Sequence, residues 1–147
     1  YLGKWDKIGR LSSRASYKND SLHGMKVIYF LPPTSGDKSQ RIMSVYNYNN
    51  GLLHGEFKEY FDTGKVKITG AYENNKKVGV WDSYHFEGRK MALERFKNGK
   101  HHGWCIAYDN KGKEEARNYF YYGRLLQGKE LKKKMSEMKR LGLSPNE

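Results

Sequence analysis

The feature that most constrains this chain is a period of 24 residues. Gly55, Gly79 and Gly103 recur at that spacing, and each opens a similar segment. Tyr60, Tyr84 and Tyr108 follow these glycines by five positions, and Gly64, Gly88 and Gly112 follow by nine. Each second glycine is followed by a basic residue: Lys65, Arg89 and Lys113. Tyr72, Phe96 and Phe120 complete the unit seventeen positions after its start. Self-similarity at such a period marks one supersecondary unit repeated along the chain. The pattern extends upstream in edited form. Gly24 opens a longer unit, with Tyr29 in the tyrosine slot and an insertion around Pro32 and Pro33 ahead of Tyr46 and Tyr48. Gly3 is read as opening a shorter unit containing Trp5 and Tyr17. Leu22-His23-Gly24, Leu53-His54-Gly55 and His101-His102-Gly103 mark the same boundary.

Each unit reads as a β-hairpin. Gly55 to Phe61 forms one strand, Asp62-Thr63-Gly64-Lys65 a tight turn, and Val66 to Tyr72 the returning strand. Gly64 supplies the positive φ that such a turn requires. Asn50-Gly51 and Asn98-Gly99 are strong turn signals for the links between units. Asn74-Asn75 fills that slot once, which Asn tolerates better than most residues. The predicted fold is all-β: an elongated antiparallel meander of about five stacked hairpins over residues 1–128, with units opening near 3, 24, 55, 79 and 103. Residues 129–147 form a separate basic segment. Leu131, Met135, Met138 and Leu141 fall at helical spacing there, so a short amphipathic helix is predicted from Lys129 to Leu141. Gly142 is its C-terminal cap. The helix either covers the open end of the sheet or docks a partner or membrane with Lys132-Lys133-Lys134 beside its apolar stripe.

The run Gly–x–Trp/Phe–x–x–Tyr–x–x–x–Gly–Lys, followed by an aromatic and Asn-Gly-Lys, resembles the membrane occupation and recognition nexus (MORN) repeat. It looks most like the bacterial variant associated with toxin–antitoxin antitoxins. The resemblance covers residues 3–128 and is strongest in the three regular units. It implies a part that organises or binds and is not itself catalytic.

Composition narrows the partners. Aromatics make up 14% of the chain, with 12 Tyr, 6 Phe and 3 Trp, which a disordered chain would not carry. The formal net charge is +12. A basic body favours nucleic acid, anionic lipid or an acidic protein face, although solubility alone also accounts for it. Lys65, Arg89, Lys113, Lys132, Lys133 and Lys134 are the candidate anion-binding residues. Lys76, Lys77, Lys100 and Lys129 are placed on the opposite edge of the sheet. The longest apolar run, Val27 to Leu31, is strand-sized and well short of the roughly 18 residues that span a bilayer. A soluble or peripheral protein is expected, in an unknown compartment. The sequence starts at Tyr1, which leaves room for a removed targeting segment.

Several residues invite a chemical reading. Tyr60, Tyr84 and Tyr108 are expected to form a column, with Tyr72, Phe96 and Phe120 between them, as a packing ladder or an aromatic groove. Trp81 and Tyr84 are three apart, so either both faces carry aromatics or a bulge intervenes. His23, His54 and His102 occupy equivalent repeat positions about 10 Å or more apart, too far to share one metal. They are read as turn-flanking residues, and no metal or cofactor is expected. Cys105 fills the slot of Phe57 and Trp81, a packing position. The structural residues of the repeat are Gly55, Tyr60, Gly64, Gly79, Trp81, Tyr84, Gly88, Gly103, Tyr108 and Gly112. Candidate partner-binding residues are Pro32, Pro33, Leu131, Met135 and Met138. The expected function is a non-catalytic interaction or scaffold module, an accessory subunit of a larger assembly with no small-molecule substrate. The alternatives are an antitoxin that neutralises a toxin by direct binding, or a peripheral binder of anionic lipid or nucleic acid.

Overall fold

A computed structural model describes residues 1–5, 11–31 and 39–146. Its strands form one open antiparallel sheet of 13 strands, followed by a single helix. Five hairpins carry the sheet: β1 (Leu2–Trp5) with β2 (Leu11–Lys18), β3 (Ser21–Tyr29) with β4 (Ile42–Asn49), β6 (Gly55–Tyr60) with β7 (Val66–Glu73), β8 (Lys76–Tyr84) with β9 (Lys90–Lys97), and β11 (Gly103–Tyr108) with β12 (Glu114–Tyr121). Short strands β5 (Leu52–Leu53) and β10 (Lys100–His101) lead into β6 and β11, and β13 (Arg124–Leu126) follows β12. Helix α1 (Gly128–Arg140) ends the fold. The predicted meander of five hairpins with a C-terminal helix is therefore the observed architecture.

The two edges of the sheet are made by different turns. On one edge, hairpins close through four-residue turns in which Phe61 N–H donates to Lys65 O, His85 N–H to Arg89 O and Asp109 N–H to Lys113 O, each at 2.8 Å. Gly64, Gly88 and Gly112 adopt φ of 83°, 97° and 80° in these turns. On the other edge, both central residues of every link have positive φ: Asn19-Asp20, Asn50-Gly51, Asn74-Asn75, Asn98-Gly99 and Tyr122-Gly123. That is the type I′ turn, whose twist matches the flanking strands. These links are also tied to one another. Gly51 N–H donates to Leu22 O, Asn75 N–H to Leu53 O, Gly99 N–H to Lys77 O and Gly123 N–H to His101 O, at 2.8 to 3.0 Å. The edge is thus a staircase of backbone hydrogen bonds running from unit to unit.

A bulge recurs at the same point of all five hairpins. Strand pairing shifts at Trp5, Tyr29, Tyr60, Tyr84 and Tyr108, and the extra residue lies on the returning strand in every case, as with Lys67 opposite Glu59 and Tyr60. The strands carrying the tyrosines keep their alternation through the bulge. Phe57 and Tyr60 therefore point to opposite faces, and so do Trp81 and Tyr84. Both faces carry aromatics, and the bulge adds twist. The pairing also corrects the first unit. Gly3 pairs with Arg14 as Lys58 pairs with Thr69, and Trp5 stands where Tyr60 stands. Gly3 lies three positions inside its unit and does not open it.

The expected ladder exists with different rungs. Tyr60, Tyr84 and Tyr108 lie on the face opposite Tyr72, Phe96 and Phe120. The rings that interleave with the latter are Phe57 and Trp81. Ring centroids follow one another from Tyr46 to Phe57 (4.9 Å), Phe57 to Trp81 (5.3 Å), Trp81 to Phe96 (6.0 Å), Phe96 to His101 (4.4 Å) and His101 to Phe120 (5.1 Å). Tyr72 stands edge-on to both Phe57 and Trp81. Phe57 and Trp81 stack at an interplanar angle of 26° and are buried, although the sheet has only one layer. Gly70, the partner of Phe57 across the β6–β7 pair, makes this possible. A β-carbon at Gly70 would lie 2.2 Å from Trp81 Cδ2.

Gly70→Ala is therefore expected to lower stability by roughly 1–3 kcal/mol, as overpacking does. Gly64→Asn, at a site with open space where Asn tolerates positive φ, should change it by less than about 0.5 kcal/mol. Urea unfolding followed by tryptophan fluorescence compares the two, and equal effects would show that the Trp81–Gly70 contact is unimportant.

Candidate interaction surface

Helix α1 lies on the face that carries Trp104 and Tyr119. Tyr119, Leu126 and Met138 form a buried cluster, with Trp104, Leu131 and Met135 packed against it. Tyr119 is fully buried, and its hydroxyl donates to Met138 Sδ at 3.3 Å. Burial pushes the Tyr119 hydroxyl above its ordinary pKa. The helix ends in a Schellman arrangement: Leu143 N–H reaches Met138 O at 2.9 Å and Gly142 N–H reaches Lys139 O at 3.2 Å, with Gly142 at φ 66°. The stripe Leu131, Met135 and Met138 is thus spent on covering the sheet. This corrects its assignment as a partner-binding surface, because the side chains that would dock a partner already have one in the same chain. Pro32 and Pro33, the other candidate partner residues, lie outside the described residues.

The candidate anion-binding residues do not form one set. Lys65, Arg89 and Lys113 occupy equivalent exposed turns on one edge, as the repeat predicts, but Arg89 is ion-paired with Glu87 in its own turn. Lys132 and Lys133 are exposed on the helix. Lys134 is not a free charge: its ammonium sits 4.0 Å from the Tyr121 ring centroid and 3.4 Å from Glu137 Oε2. On the other edge, Lys77 lies over the rings of Trp81 and Phe96, at 4.1 and 4.9 Å from their centroids. It caps the ladder by a cation–π contact and does not project from the edge.

The boundary histidines have a backbone role. Asn50 N–H approaches His23 Nδ1 at 3.5 Å, and Tyr122 N–H donates to His102 Nδ1 at 3.2 Å. In these two units the ring accepts from the first residue of the next link. His101, by contrast, is a rung of the ladder and pairs with Glu94 Oε1 at 2.7 Å. Among the described residues, no three His, Cys, Asp or Glu side chains are grouped to hold a metal ion. No described helix is long and apolar enough to cross a membrane.

The ladder face is left as the broad surface opposite the helix. Its two inner rows follow from the strand pairing, with Tyr46–Phe57 and Gly70–Trp81 joined by their contacts and Glu94–Cys105 by the Leu93–Ile106 pair beside them. One runs Ala15, Lys26, Tyr46, Phe57, Gly70, Trp81, Glu94, Cys105, Asn118, and the next runs Ser44, Glu59, Ile68, Ser83, Ala92, Ala107, Ala116. Sequence reasoning placed Cys105 correctly in the slot of Phe57 and Trp81 but did not pick out this face. The usable signal was Gly70, since a glycine inside a strand marks a close approach. Burial pushes the Cys105 thiol above its ordinary pKa. Trp81 Nε1 is buried and has no hydrogen-bond partner among the described residues. The sequence matches no protein-family model, and no curated protein matches it significantly.

Two outcomes follow. Met138→Ala removes the centre of the helix–sheet cluster and should cost about 2–4 kcal/mol in thermal or urea unfolding; a loss below about 0.5 kcal/mol would show that the helix is not anchored there. Because folding favours the neutral thiol, Cys105 should be alkylated by iodoacetamide at pH 8 several-fold more slowly in the folded chain than in urea. The protection should fade as pH rises through the folded pKa, and equal rates at pH 8 would contradict the burial.

Proposed function

We propose that this chain is a non-catalytic protein-interaction module, an accessory part of a larger assembly. The observation that carries the reading is the ladder face. A staircase of backbone hydrogen bonds holds several turns of sheet in one register, and on the face opposite the helix the half-buried rings of Tyr46, Tyr72, Phe96 and Phe120 flank the buried Phe57–Trp81 stack. Such a surface offers rigid rings, whose ordering on binding loses little side-chain entropy, and aromatic residues are enriched at interface centres. The net charge of +12 favours an acidic partner face and speeds its encounter. The MORN-like sequence pattern points the same way, since repeats of that kind organise or bind. Neutralising a toxin by direct contact is a narrower form of the same reading.

Affinity capture of the tagged chain from its native source, followed by mass spectrometry, tests this. The expected result is a stoichiometric protein partner that survives moderate salt. Recovery of nucleic acid or lipid alone, released steeply as salt rises, would replace the reading with anion binding through the exposed turn lysines. A chain that is monomeric and partnerless in such extracts would reject both.

A further inference from the structure

Helix α1 holds its cations apart from its acids. Leu131, Met135 and Met138 face the sheet. At about 3.6 residues per turn, the opposite side of the helix carries Lys129, Lys132, Lys133, Ser136, Lys139 and Arg140, all of them exposed. Seven-residue spacings sort these into two columns, Lys132 with Lys139 and Lys133 with Arg140, on either side of a crest formed by Lys129 and Ser136. None of the five cations has an ion-pair partner among the described residues. Both acids of the helix are engaged elsewhere, Glu130 with Arg124 and Glu137 with Lys134. The hairpin turns differ, because Asp62, Glu87 and Asp109 share the turns of Lys65, Arg89 and Lys113. The tail does not cover the stripe: past Gly142 it returns to the sheet, where Asn146 Oδ1 accepts from Trp104 N–H at 3.2 Å. Helix stability does not account for this placement. Lys129 stands in the first turn, at the positive end of the helix dipole, three and four residues from Lys132 and Lys133, and both arrangements disfavour a helix.

From this geometry we infer that the outer side of α1 binds the phosphate backbone of double-stranded DNA, with its crest in the major groove and one cation column towards each strand. The inference goes beyond the interaction module: α1 and the ladder face lie on opposite faces of the sheet, so both can be engaged at once. Two cation columns about a crest match two phosphate rows about a groove. A helix with its side chains is about 10–12 Å across, and the major groove is about 12 Å wide. Ser136 keeps the crest low and offers a hydroxyl to a phosphate. Lysines contact phosphates as point charges, so binding is to the backbone and largely independent of base sequence. The net charge of +12 adds to the attraction. Other anionic partners fit less well. An amphipathic helix enters a membrane surface by its apolar stripe, and that of α1 is buried against the sheet. Single strands are held by rings among the cations, and the outer side of α1 has none. Protein interfaces are built around an apolar or aromatic centre depleted of lysine, which this stripe also lacks.

Fluorescence anisotropy of a labelled, mixed-sequence DNA duplex titrated with the full chain tests this. Binding should be micromolar or tighter in dilute salt. The slope of log K against log salt should be about −4 to −5, as five phosphate contacts require. Replacing either column by glutamine, Lys132→Gln with Lys139→Gln or Lys133→Gln with Arg140→Gln, should make the slope shallower by about two and weaken binding roughly ten-fold or more. Glutamine is as good a helix former as lysine, and two independent pairs keep the test open should one fail to fold. Lys65→Gln with Lys113→Gln removes the same charge from the hairpin turns and should change the slope by less than about one. Duplex RNA, whose major groove is too deep and narrow for a helix, should bind several-fold more weakly. Absent binding, a turn pair that matters as much as a helix column, or a loss confined to one column overturns the assignment. Equal or tighter binding of phosphatidylserine vesicles or of poly-glutamate, abolished by the column variants, also overturns it and makes the stripe a membrane or acidic-protein contact. A stoichiometric protein partner captured from the native source while the duplex fails would leave the interaction module standing and remove only this surface. Duplex binding without any protein partner would do the reverse.

Discussion

Trp81 lies on the bare backbone of Gly70, and most of what holds the middle of this sheet together follows from that contact. A one-layer sheet has water on both sides, so no second layer exists to bury its side chains. Among the described residues only Ala15, Phe57, Trp81, Tyr119, Leu126 and Met138 are buried hydrophobics. Phe57 and Trp81 reach that state by lying on each other, with Tyr72 edge-on to both and Lys77 above Trp81. Each such ring pair adds about 0.5–1.5 kcal/mol beyond the area it buries. A side chain at position 70 would lift Trp81 and open the stack to water. The backbone staircase along the link edge supplies the other half: it fixes the spacing at which rings of successive units can meet.

The period, the turns and the helix were legible because they are local. Asn-Gly pairs, the glycines of the hairpin turns and the Leu/Met spacing of α1 each encode their conformation within a few residues. Sidedness was less legible. Tyr60, Tyr84 and Tyr108 are the most regular aromatics in the sequence, yet the ladder uses Phe57 and Trp81. Which face a residue joins depends on its pairing with a strand many residues away, and one bulge residue decides it. The phase of the first unit failed for the same reason, since Gly3 matches the glycine pattern by identity while its pairing with Arg14 sets it three positions further on. His23 and His102 were read as turn-flanking, but their acceptor role needed the turn that arrives 27 and 20 residues later.

The two ends of the sheet are finished differently. At the C-terminal end, β13 contributes Leu126 to a cluster closed by α1, so the sheet stops against a helix. The polar side of α1 carries Lys132 and Lys133 outward. At the other end, β1 is the last strand in the pairing order, and Tyr1, Leu2 and Trp5 are 87%, 64% and 61% exposed. Leu2 occupies the slot in which Phe57 and Trp81 are buried, because its pairing with Ala15 matches that of Phe57 with Gly70. The same slot is thus buried or exposed according to whether a neighbouring strand and its rings lie beside it.

The last unit keeps the glycines and the tyrosine of the repeat but differs from the third and fourth units at particular positions. Cys105 replaces a ring and Asn118 sits where Gly70 sits. Tyr122 takes the first position of a type I′ link that Asn fills in the four other links. An aromatic residue at φ 49° there costs about 1–2 kcal/mol relative to ordinary backbone. Its ring packs against His102 and Tyr121, at 4.4 and 5.0 Å, beside the helix. Places where a chain breaks its own local rule are where a constraint other than folding of the unit has acted. The Tyr122 ring lines, with His102, Tyr121, Met138 and Leu141, a recess between the sheet and the helix. On the other face, Cys105 and the alanines beside it line an open patch. The same unit therefore closes the sheet on one face and leaves it open on the other.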